Sequence, residues 1–148
     1  MIRFVHLGLK FLNHPPAPRL LLLESALWLS IARASALLLP FKAMAPFLGA
    51  HMKKAPREIS RGSLESAAVI SISVKTMARH LPWNSRCLVQ AVAAKKMLDR
   101  RQIPSTLFLG VARASDQEMS AHAWLKSGDY ILTGNLNLER FVVVSTFS

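Results

Sequence analysis

The hydrophobic period of this chain changes at Pro104, and that change limits the fold more than any other feature. Ahead of it, apolar residues recur at helical spacing in segments closed by proline or glycine. Beyond it come four short strand-like runs, 106–112, 120–126, 129–133 and 140–147. Helices followed by consecutive strands predict an α+β fold with an antiparallel sheet. The helices are expected at 20–39, ended by Pro40, at 41–48, stopped by Gly49, at 63–80, and from Asn84 or Ser85 to Arg101. Ser63 is the expected cap of the third, although Glu65 falls one place short of a capping box. Residues 1–19 form an apolar and basic lead ending in Pro15-Pro16-Ala17-Pro18, and 50–62 read as an exposed basic linker. The expected division is an N-terminal helical region with its linker over 1–62 and a core over 63–148.

The run from Leu20 to Leu39 passes for a membrane segment at first sight. Glu24 and Arg33 interrupt it, and a charge at the bilayer centre costs a few kcal/mol. Ala32-Arg33-Ala34 imitates a cleavage site, yet the stretch before it is long and contains both prolines and a glutamate. It is therefore read as a largely buried helix of a soluble protein, with attachment to a membrane surface as the other reading. Lys and Arg number 19 against 8 Asp and Glu, a formal net charge of +11. That excess suits an acidic peptide or an anionic surface. The basic clusters lack the interleaved aromatics of a base-stacking platform, which argues against nucleic acid. One cysteine permits no intrachain disulfide and fits a reducing cytoplasm.

That cysteine carries the chemistry. Cys87 falls two or three residues past the expected cap of the fourth helix, where unpaired amides and the helix dipole favour a thiolate, beside Arg86. Its own amide is the natural donor to an oxyanion, with Asn84 or Ser85 as side-chain candidates. His122 sits between two alanines in Ser120-Ala121-His122-Ala123-Trp124 and shares a strand face with Trp124. Cys87 and His122 are the nucleophile and base that acyl transfer needs. With Ser127-Gly128 as a two-residue turn, Thr133 faces His122, Asn135 lies diagonally on the same face, and Asp129 pairs with Lys126. Asn135 can orient the imidazole in a Cys-His-Asn arrangement. A one-residue change in the turn brings Gly134 opposite instead and leaves a dyad. The other histidines show no metal-ligand spacing and the six glycines no phosphate-cradling loop, so neither metal nor cofactor is expected.

Leu81-Pro82-Trp83, Cys87-Leu88, Arg101-Gln102-Ile103-Pro104, Leu109-Gly110-Val111, Ala121-His122-Ala123-Trp124 and Leu132-Thr133-Gly134 occur here in one order. That order resembles the transglutaminase-like proteins of lasso-peptide biosynthesis, and Leu22-Leu23-Glu24 to Leu39-Pro40-Phe41 resembles their leading helical region. The resemblance implies a papain-like core with the nucleophile at a helix N-terminus packed on the antiparallel sheet. It also implies leader-peptidase activity with Cys87 as nucleophile and His122 as general base. The implied partners are a precursor peptide, a small leader-recognition protein and an asparagine-synthetase-like cyclase. Two positions depart from the family: Lys126 stands where many members have an acid, and Gly134-Asn135 where many supply an aspartate. The competing reading is a non-catalytic peptide-binding scaffold that keeps the fold.

Overall fold

The computed structural model describes residues 16–83, 86–113, 115 and 117–148. The first helix, α1, runs Pro16–Leu38. It starts inside the proline cluster that the sequence reading took as a break, because a first helical turn needs none of the amide protons that proline lacks. A short α2, Phe41–Met44, and a 3-10 turn, Ala45–Leu48, follow Pro40. Helix α3 spans Arg61–His80, and its cap is Ser60 rather than Ser63: the Ser60 hydroxyl accepts the Ser63 amide at 3.1 Å. Helix α4 spans Cys87–Arg100, with Arg86 at its cap position in extended conformation. The strands are β1 (Thr106–Arg113), β2 (Met119–Ser127), β3 (Tyr130–Thr133) and β4 (Val142–Phe147).

These four strands make one antiparallel sheet in the order β3-β2-β1-β4. Part of the expected linker is tied down, since Ala50 and Met52 donate their amides to Ser148 and Thr146 at the edge of β4. The architecture is α+β, and α4 is its central element, touching α1, α3 and strands β1 to β3. One buried cluster joins Leu29 and Ala32 of α1, Leu48, Ile70 and Val74 of α3, Met97 and Leu98 of α4, and Leu107, Leu125, Leu132 and Phe147 of the sheet. The Ser71 hydroxyl donates to the Leu132 carbonyl, which fastens α3 to β3.

Helix α1 corrects one expectation. It is not largely buried: 17% of its most apolar window is covered, and by length and composition it is able to cross a membrane. Leu29 and Ala32 reach the core, but Leu20, Leu23, Leu27, Ile31 and Leu38 face outward. A helix lying on the outside of its neighbours can bury one stripe only, whatever its composition. Glu24 is held at its inner edge by Arg101 at 2.6 Å and Arg100 at 2.9 Å.

Candidate active site

Cys87 is the first residue of α4 and is partly buried against the core cluster. The first amides of a helix have no intrahelical acceptor, and no side chain caps this one at Arg86. The sulfur thus lies at the positive end of the helix, where free backbone amides can donate to an oxyanion. Asn84 and Ser85, the expected cap and side-chain donors, lie outside the described residues. Trp83 is partly buried, and its indole nitrogen has no hydrogen-bond partner among the described residues.

His122 lies in β2, paired across to Gly110 of β1. A side chain at Gly110 would fall 2.8 Å from the Trp124 ring and 2.9 Å from Phe141 Cβ. Its absence lets those two aromatics close around the histidine, at ring separations of 6.0 Å for Trp124 and 5.0 Å for Phe141. Phe108 stacks on the far side of Trp124 at 5.5 Å. The residues alternating with them, Ala123 and Leu125, belong to the cluster that α4 packs on.

The imidazole is fixed through one nitrogen. Nε2 stands 2.7 Å from the carbonyl oxygen of Gly134. A carbonyl only accepts, so Nε2 carries a proton and Nδ1 is the nitrogen left outside this hydrogen bond. The same carbonyl accepts the Leu136 amide at 2.9 Å, which uses both lone pairs. Gly134 has φ +76°, and a Cβ there would collide with the Ala123 carbonyl and lie 2.9 Å from Trp124 Cβ. Only glycine lets the chain cross β2 this closely.

The hairpin register differs from the expected one. Ser127 pairs with Tyr130, so Gly128-Asp129 is the turn, with Gly128 at φ +59°. A bulge between Leu125 and Lys126 then sets Thr133 opposite Leu125 instead of His122. A bulge adds one residue to one strand and shifts everything beyond it. Thr133 is fully buried, and its hydroxyl has no partner among the described residues. Asn135 is exposed beyond the end of β3 and forms no hydrogen bond to His122; the Gly134 carbonyl occupies that position. Asp129 pairs with Arg57 at 3.3 Å, not with Lys126. Among the described residues no hydrogen bond joins Cys87 to His122.

The family model of the transglutaminase-like superfamily matches residues 35–146, a span that holds both Cys87 and His122. The chain belongs to the transglutaminase-like superfamily. Its α+β architecture, with helices ahead of an antiparallel sheet, agrees with a transglutaminase-like core. The superfamily comprises in general cysteine proteases and transferases of papain-like fold. No curated protein and no solved structure matches this transglutaminase-like chain. Two features of its site were missed by sequence reasoning, the Gly134 carbonyl as the partner of His122 and Phe141 beside the ring. Glycine in Leu132-Thr133-Gly134 was the available signal for the first. Phe141 carried none, since the 3-10 turn Leu138–Arg140 delivers it from outside the sheet. Among the described residues no group of three His, Cys, Asp or Glu gathers to hold a metal ion.

Proposed function

We propose that this chain is a cysteine peptidase that removes the leader from a ribosomally made lasso-peptide precursor in the cytoplasm. The observation that carries the reading is the tautomer of His122: its Nε2–H is bound to the Gly134 carbonyl, leaving Nδ1 as a base in the same transglutaminase-like domain as Cys87. The domain match and the cysteine at a helix N-terminus support peptidase chemistry. The order of motifs from Leu81 to Gly134 supports the lasso-peptide assignment.

In this mechanism Nδ1 takes the Cys87 proton, and the thiolate attacks the carbonyl carbon at the leader–core junction. The Cys87 amide receives the developing oxyanion. His122 returns the proton to the departing amine as the peptide C–N bond breaks, leaving an acyl-thioester on Cys87. Water, deprotonated by Nδ1, cleaves the thioester and restores the thiol. The Gly134 carbonyl orients the ring throughout, in the place of a side-chain third member, with Asn135 free to contact substrate. Precursor and leader-recognition protein bring Cys87 and His122 together, since catalytic hydrogen bonds tighten in the substrate complex. The released core passes to an asparagine-synthetase-like cyclase.

The absence of a Cys87–His122 hydrogen bond favours a second reading, a non-catalytic scaffold for the precursor. Alkylation of Cys87 against pH, in the wild type and in His122→Ala, separates the two. The peptidase reading expects Cys87 to alkylate faster than an ordinary thiol near neutral pH, an excess lost in His122→Ala. It also expects Cys87→Ala to fold normally and to abolish cleavage when precursor and recognition protein are added. An ordinary thiol profile in both proteins, unchanged by those partners, would establish the scaffold instead.

A further inference from the structure

The outward face of α1 is an apolar arc with no acid in it. Leu20, Leu23, Leu27, Ile31 and Leu38 are all exposed, Leu23 by 53% and Leu27 by 57%. At 100° per residue they fall within about 80° of one another. Single exposed leucines are ordinary, but a continuous apolar strip along a whole helix marks an interaction surface. Beyond the helix, the exposed Leu39 and Phe47 line one cavity with Ile31 and extend the strip. Glu24 is the one acid of α1, and Arg100 and Arg101 hold its side chain at 14% exposure. Arg19 stands in the first turn and Lys42 just past the end, in a chain of net charge +11.

We propose that α1 is a membrane-surface helix, lying in the plane of an anionic bilayer with its leucine arc in the headgroup–acyl boundary. Amphipathic helices bind this way when apolar burial and attraction of cations to anionic lipid act together. Charge decides against a second copy as the occupant, because pairing two arcs would bring together two chains of +11. The inner face decides against crossing. A spanning α1 would withdraw Leu29 and Ala32 from the core cluster and leave Arg100 and Arg101 without their carboxylate. Phe47, exposed beside Ile31 and Leu39, adds an apolar ring to the same face. This inference stands apart from the peptidase reading and survives its failure.

Flotation of the full chain with phosphatidylcholine vesicles, with and without phosphatidylglycerol, tests it. The expected result is flotation with the anionic vesicles only, weakened by salt. The exposed double variant Leu23→Gln/Leu27→Gln is expected to bind about tenfold more weakly or less, with unchanged helical circular dichroism. Each single substitution replaces the pair should its helical signal fall. Failure to float with anionic vesicles overturns the proposal, as does flotation that both leucine changes leave intact. A wild-type dimer dispersed by the same substitutions, with no flotation, would assign the arc to a second copy and overturn it too.

Discussion

Helices α1 and α4 lie against each other, and the more apolar of the two is the less buried. Helix α4 carries Lys95, Lys96, Asp99 and Arg100, yet Ala91, Ala93, Ala94, Lys95, Met97 and Leu98 have at most 1% of their surface exposed. Helix α1 carries eight leucines and exposes five of them. The difference is position. Helix α4 has α1 and α3 on one side and the sheet on the other, and its small alanines let all three approach closely. Helix α1 has neighbours on one side only. Burial follows the number of layers around a helix, and Cys87 stands at the end of the helix that has most of them.

The comparison breaks first under Leu98→Ala. Leu98 is fully buried, so truncation is expected to cost about 2–5 kcal/mol, measured by urea unfolding. A loss below about 1 kcal/mol would mean that α4 tolerates holes as a peripheral helix does.

The next effect concerns the charge that α4 has drawn inside. Lys95 is 1% exposed and donates to Asp99 at 3.2 Å. Burial pushes its pKa down from the ordinary 10.5, and Asp99 opposes part of that shift. Asp99→Ala is expected to destabilise by about 1–3 kcal/mol, because the ammonium loses its partner, whereas Lys95→Met is expected to be neutral or stabilising. Equal losses from both substitutions would contradict a cost of burying this charge.

At the seam between the two helices, hydrogen bonding from Arg101 is the first cause holding Glu24 below its ordinary pKa of 4.5, with Arg100 adding attraction. A depressed carboxylate contributes stability that is present above its unfolded pKa and lost as pH falls through the folded one. Wild type is therefore expected to lose more stability below about pH 4.5 than Glu24→Gln does, read from thermal melts. The smallest effect belongs to the outer face: Leu27→Ala is expected within about 0.5 kcal/mol of wild type by the same melts.

Most of the elements could be read from sequence, because Pro40, Gly49 and Pro104 punctuate the chain and the runs after residue 105 are short and strand-like; the sheet order β3-β2-β1-β4 was not legible there. Helix α3 and the four strands lie within three residues of expectation. What resisted reading depends on contacts distant in sequence or on single-residue counting. The exposure of α1 follows from what packs beside it, and periodicity alone does not reveal that. The partner of Asp129 is Arg57, from a loop far earlier in the chain. The surroundings of His122 depend on a turn placed one residue later than expected and on a bulge between Leu125 and Lys126, and each one-residue slip changes every pairing beyond it. The positions of Cys87 at a helix start and of His122 within a strand were legible, since each rests on local pattern.

The carbonyl of Gly134 has a further consequence for how such a site drifts over time. A histidine steadied by an aspartate loses its support through one codon change at that acid. Here the support is main-chain oxygen, which every amino acid supplies, so no particular side chain is required at position 135. The constraint moves one place back, to a residue with φ +76° and no room for a side chain. The steadying group also carries no charge and never titrates, so the imidazole keeps its orientation at acidities that would silence a carboxylate.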